Sequence, residues 1–171
     1  ELLKAIVPDL SRIAVLWDPA PGANHLRAIR SVARSVGVKL QVLEVRKPDD
    51  IGRAFSALGG RPQALIILPS PMLYVHSARL AELTLKHRLP ATSMARAFAD
   101  AGGTVAYGPD MPVTFERDAE FVAKILSGAK PGNLPVERPT KFKLVVNLKA
   151  AKALGITIPE SMLLRADEVI Q

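Results

Sequence analysis

Short, continuously apolar runs alternate along this chain with segments whose apolar residues recur at helical spacing. The first run, Ile13-Ala14-Val15-Leu16-Trp17, breaks at once into turn chemistry at Asp18-Pro19 and Pro21-Gly22. It predicts a buried central strand delivering a loop, with Trp17 as core. Leu26, Ile29, Ala33 and Val36 then fall on one helical face, and Gly37 follows as a C′ glycine does. Leu40 to Val45 alternates enough to predict a second strand nearer the sheet edge, and Pro48-Asp49-Asp50 starts a helix bearing Ile51, Ala54, Phe55 and Leu58. Ala64 to Leu68 is apolar throughout, as strands covered on both faces are, and ends in the stiff Pro69-Ser70-Pro71.

The alternation continues. Met72-Leu73-Tyr74 leads into a helix carrying Val75, Ala78, Ala81 and Leu85, which Pro90 closes. Ala91 to Met94 predicts a fourth strand, Arg96 to Asp100 a short helix, and Thr104 to Tyr107 a fifth strand running into Gly108-Pro109-Asp110. Phe115, Ala119, Val122 and Leu126 mark an amphipathic helix that stops at Gly128. Lys130 to Pro139, with its three prolines, reads as an extended connector. Phe142, Leu144 and Val146 predict another strand, Asn147 caps a short helix ending at Gly155, and one more small helix around Pro159 to Leu164 finishes the chain.

Strand and helix repeated in this order predict an α/β fold with a doubly wound, mainly parallel, Rossmann-like sheet. Residues 1–128 form the lobe, and 129–171 a connector, strand and short helices that pack back on it. In such sheets ligands sit at the carboxyl ends of the strands, which directs attention to the loops after Trp17, Leu68, Met94 and Tyr107.

Composition changes this picture little. The net charge of +7 is spread over helices and loops among Asp and Glu, with no polybasic run or RNA-binding aromatic signature, so nucleic acid is not the expected partner. The chain has no Cys, which removes disulfides, thiolate metal sites and cysteine nucleophiles together. No apolar run approaches the ~20 residues of a membrane span. The chain opens on Glu1 with what looks like the last turns of a helix, so it is expected to be a piece of a longer protein, and the lack of a signal peptide carries no information.

Candidate chemistry is sparse. No loop has the Gly-x-Gly-x-x-Gly or Walker pattern, and His25, His76 and His87 lie on separate elements without metal-ligand spacing, so neither cofactor nor metal is expected. Asp18 follows the first strand, where a carboxylate can hold a metal or accept a phosphoryl group. That chemistry needs further acids at neighbouring strand ends, and the third strand ends in Leu68-Pro69-Ser70. Asp18 therefore reads as a turn former first and a ligand contact second. Met72 and Tyr74 follow the third strand and Tyr107 and Asp110 flank Gly108-Pro109, where an aromatic and a thioether suit an apolar pocket or ordinary packing equally, and Arg96 presents a guanidinium that suits a carboxylate or a solvated helix face equally. Polar and aromatic groups spread over four loops, with no acid–base pair among them, suit binding better than turnover.

Taken together, Arg12-Ile-Ala-Val-Leu-Trp-Asp-Pro-Ala, Ala64-Leu-Ile-Ile-Leu-Pro-Ser-Pro, Lys86-His-Arg-Leu-Pro-Ala, Tyr107-Gly-Pro-Asp and Pro139-Thr-Lys-Phe-Lys-Leu-Val-Val-Asn resemble the ABC transporter substrate-binding proteins of the tryptophan-binding type. The resemblance implies a type I periplasmic-binding-protein fold, two Rossmann-like lobes closing on a ligand, of which this chain is the second lobe plus the C-terminal portion. It implies ligand contacts at Asp18, Asn24, Ser70, Met72, Ser93, Arg96, Tyr107 and Asp110, and a small organic ligand such as an amino acid or aromatic carboxylate. It also implies an N-terminal lobe and an ABC permease as partners, and a periplasmic or extracytoplasmic location. Without its partner lobe the fragment is open to pairing with a second copy. A ligand-sensing domain of a regulator, which shares the bilobed fold, is the alternative, and a hydrolase using Asp18 a more remote one.

Overall fold

A computed structural model describes residues 1–171. Seven strands form one sheet in the order β2-β1-β3-β4-β5-β6-β7. They are β1 (Arg12–Trp17), β2 (Lys39–Glu44), β3 (Ala64–Ile67), β4 (Ala91–Ser93), β5 (Val105–Pro109), β6 (Phe142–Asn147) and β7 (Glu168–Ile170). The first five are mutually parallel, β6 runs antiparallel to β5, and β7 is parallel to β6. The helices are α1 (Leu2–Ile6), α2 (Asn24–Ser35), α3 (Pro48–Ser56), α4 (Pro71–Val75), α5 (Ser77–Lys86), α6 (Arg96–Asp100), α7 (Met111–Leu126), α8 (Leu148–Leu154) and α9 (Glu160–Leu163). None is long and apolar enough to cross a membrane.

The apolar runs of β1 and β3 follow from coverage on both faces. Ile13 and Val15 of β1 point into a cluster with Leu3, Ile6 and Leu26, while Ala14 and Leu16 point into another with Ile51, Phe55 and Leu80. The doubly wound reading of the sequence holds in this arrangement. Asn147 accepts a hydrogen bond from the Ala150 amide at 2.9 Å and so caps α8, which ends at Gly155 in the left-handed region (φ +70°).

Three details differ from the sequence-based expectation. The single helix expected after Tyr74 is two, α4 and α5, with His76 between them. The helical frame restarts at Ser77, so α5 buries Ser77, Leu80, Ala81 and Thr84, while Val75 is 78% exposed. Strand β7 was not expected; Glu168-Val169-Ile170 is too short to show a period, and only its register on β6 makes it a strand. Trp17 is partly buried rather than core, its indole N–H donating to the Gly22 carbonyl at 3.3 Å.

Between β5 and β6 the chain leaves the sheet and comes back. Pro109 pairs with Phe142, and the Asp110 amide donates to the Lys141 carbonyl at 3.0 Å, so the departing and returning strands lie side by side. No residue from 111 to 139 is buried, whereas β6, α8 and α9 contribute Leu144, Val146, Ala151 and Met162 to the core.

Candidate ligand-binding site

The strand ends are tied together by short polar contacts. After β1, Asp18 Oδ1 accepts from the Ala20 amide at 2.9 Å, closing the turn that Asp18-Pro19 predicts. Its Oδ2 accepts from the Ser70 hydroxyl at 2.5 Å. Ser70 Oγ in turn accepts from the Met72 amide at 3.1 Å and the Leu73 amide at 3.4 Å, capping α4. Both residues are buried, so the carboxylate after β1 holds the start of the helix after β3.

A cavity of about 630 Å³ opens at the carboxyl ends of β3, β4 and β5, within the usual range for a small-molecule site. Pro69, Tyr74 and Met94 supply an apolar wall, and Ser70, Ser93, Arg96, Asp110, His25 and Lys143 polar groups. Gly108 shapes its floor. A Cβ there would lie 2.1 Å from the Met94 carbonyl oxygen, so only glycine lets β5 approach the end of β4 this closely.

The charges on this wall are unevenly satisfied. Arg96 pairs with Asp100 at 3.2 Å and with both oxygens of Glu168 at 2.7 and 2.8 Å. The charge of Asp100, then that of Glu168, pushes the guanidinium further above its ordinary pKa. Lys143 pairs with Asp110 Oδ2 at 3.0 Å. Asp110 Oδ1, on a residue only 9% exposed, has no hydrogen-bond partner. The lining therefore offers one unsatisfied carboxylate oxygen and no unpaired Lys or Arg.

The sequence-predicted positions do not all come together. Ser70, Ser93, Arg96 and Asp110 line the cavity. Asp18 sits behind the lining, with both oxygens engaged by the chain itself. Asn24 is exposed at the start of α2, where its Oδ1 accepts from the Arg27 guanidinium, and Met72 packs against the core. Tyr107 points away from the cavity because Ala106 and Gly108, its neighbours in the pleat, point toward it. Its ring stacks on Phe142 across the antiparallel pair, with centroids 5.7 Å apart.

The sequence profile described as ABC transporter substrate binding protein matches residues 1–170. The chain belongs to that family. Among solved structures, a conserved domain protein from Vibrio cholerae O1 biovar El Tor is similar at 28% identity and a TM-score of 0.89, over 98% of this chain and 57% of that one. An ABC domain from Streptococcus pneumoniae, solved in complex with L-Trp, is similar at 24% identity and a TM-score of 0.88, over 99% of this chain and 58% of that one. A ligand-free, open substrate-binding protein with adhesive properties from Clostridium difficile is similar at 19% identity and a TM-score of 0.73, over 99% and 58%. The chain thus spans less than two thirds of the length of these relatives. Among curated proteins none matches it.

Tyr74, which follows the third strand as an aromatic suited to an apolar pocket, does line the cavity, whereas His25, Met94, Met111 and Lys143 escaped the sequence reading as ligand contacts. Met94 and Met111 flank positions the reading did single out. Lys143 had a weaker signal, as the polar member of the Phe142-Lys143-Leu144 alternation, and only the register Gly108 to Lys143 carries it to the cavity.

Proposed function

We propose that this chain forms one wall of a solute receptor that serves an ABC importer outside the cytoplasm and binds an amino acid through its ammonium group. The observation that carries this reading is Asp110. It lines the cavity, and one of its buried carboxylate oxygens lacks a donor, a deficit worth about 1–3 kcal/mol that a ligand N–H can recover. That oxygen is closed to solvent in this structure, so a ligand N–H reaches it only in a state in which the chain around Asp110 has opened.

The apolar wall of Pro69, Tyr74 and Met94 favours a large apolar side chain. The L-Trp held by the Streptococcus pneumoniae relative is a ligand of that description on the same fold. Arg96, saturated by two acids, is a poor anchor for a ligand carboxylate, and that group is better placed against the remainder of the parent protein. Closure is then a shift of population toward the state in which ligand touches both walls. Receptor rather than enzyme is supported by how the two lining serines are used: Ser70 donates to the Asp18 carboxylate and caps α4, and Ser93 Oγ accepts from the Ala95 amide, so both hydroxyls serve the fold.

The test is a thermal-shift panel of amino acids, aromatic acids and aromatic amines on the intact parent, run beside hydrolase assays. Stabilisation by amino acids supports the reading. Turnover of an ester or phosphate without stabilisation by any of them overturns it.

A further inference from the structure

We propose that Lys143 acts as a charge filter at the cavity, admitting ligands whose ammonium is balanced by a carboxylate and turning away those that carry a net positive charge. Strand register sets its place. Lys143 lies directly opposite Gly108 in the antiparallel pairing of β5 with β6, and both residues line the cavity. Glycine puts no side chain opposite the lysine, so its ammonium reaches along the same face to Asp110, two residues on, and ends 3.0 Å from Oδ2.

The pair is buried at its acid end and open at its basic end. Asp110 is only 9% exposed, whereas the Lys143 side chain is 43% exposed. The other cation of the lining, Arg96, is shared between Asp100 and Glu168. Lys143 is thus the one Lys or Arg of the lining whose sole ion-pair partner is the acid assigned to the ligand.

The inference rests on the receptor reading in one respect, that Asp110 takes the ligand ammonium. The two oxygens of a carboxylate stand about 2.2 Å apart, so an ammonium held on Oδ1 lies within roughly 4–7 Å of the Lys143 ammonium. Like charges at that range repel, and the repulsion grows where the cleft shuts out water. In an amino acid the carboxylate carbon is two bonds from the nitrogen, and its charge offsets most of the repulsion. An amine of the same shape has nothing to offset it, and a second cation on the ligand adds to it.

Calorimetric titration of the intact parent with matched pairs, tryptophan against tryptamine and tyrosine against tyramine, reads the filter. Each amine keeps the ring and the ammonium and lacks only the carboxylate. Lys143→Met keeps the reach of the side chain without its charge. In that variant the preference for the amino acid should shrink about tenfold because the amine binds more tightly, with the amino acid bound no more weakly than by the wild type. Lys143→Arg should keep the wild-type preference. A preference unchanged in Lys143→Met overturns the proposal. So does one that shrinks because the amino acid binds more weakly, which would make Lys143 a partner of the ligand carboxylate. A parent that binds none of the four compounds, with or without Lys143, sinks the receptor reading and the filter with it, whereas an unchanged preference in a parent that binds them sinks the filter alone.

Discussion

The Ser70 hydroxyl donates to Asp18 Oδ2 at 2.5 Å, joining the loops after β1 and β3 across 52 residues of sequence. Both partners are buried, and each makes a second bond that shapes its own loop. The pair consequently belongs to the scaffold under the cavity. Asp18→Ala should destabilise the fold by about 1–3 kcal/mol by leaving the Ser70 hydroxyl and the Ala20 amide unsatisfied. Ser70→Ala should cost a similar amount, and the double variant less than the sum, by about 1 kcal/mol. Denaturant titration of the four proteins measures this, and additive losses would show that the two do not act as a unit.

Lys143 and Asp110 form the other structural pair at the site, with the opposite consequence. Lys143→Ala leaves the Asp110 carboxylate without its countercharge, so the unliganded protein should melt lower. A ligand ammonium then meets an unopposed carboxylate, and the ligand-induced rise in melting temperature should be larger than in the wild type. Differential scanning with and without an amino-acid ligand reads both. A smaller rise would mean that Lys143 contacts the ligand itself.

Gly108→Ala should cost about 3 kcal/mol or leave the protein insoluble, because the new methyl meets the backbone of Met94, which cannot step aside. Gly132→Ala, with open space around it, is the matched control and should be nearly neutral. Comparing their urea midpoints checks the close approach that forms the cavity floor.

Asp50 offers a pH test away from the site. The Arg46 amide, then the Arg53 guanidinium, hold its carboxyl below the ordinary carboxylate range. Its folded-state pKa is depressed, so its contribution is present above the unfolded value and is lost as pH falls through the folded one. Asp50→Ala should therefore lower the melting temperature at neutral pH, and the deficit should fade as pH falls below the ordinary aspartate pKa of about 3.9 and vanish only beneath the depressed folded-state value. A deficit that persists unchanged in acid would mean that the loss comes from helix packing rather than from the charge.

Where local chemistry decided the structure, the sequence was readable. The two-faced burial of β1 and β3 is written in unbroken apolar runs, and Gly37, Asn147 and Gly155 mark helix ends by chemistry that acts within one turn. What escaped depends on distant partners. Ser70 reads as part of a stiff proline loop, and its cap on α4 and bond to Asp18 exist only once β1 lies beside β3. Tyr107 stands at a strand end as expected, but the pleat turns it away from the cavity and onto Phe142. Arg96 advertised a free guanidinium until α6 and β7 brought two carboxylates to it. The stripe of α7 was legible as a core face, yet α7 buries no residue.

Calorimetric titration of the intact parent with tryptophan and with indole-3-propionate, which keeps the ring and carboxylate but lacks the amine, tests the central claim most directly. Tryptophan should bind, indole-3-propionate should bind about ten- to a hundredfold more weakly, and Asp110→Asn should erase most of that difference, since a charged hydrogen bond in a buried site is worth about 1.5–3 kcal/mol. Equal binding of the two compounds, or an unchanged preference in Asp110→Asn, would contradict the assignment of Asp110 as the ammonium anchor.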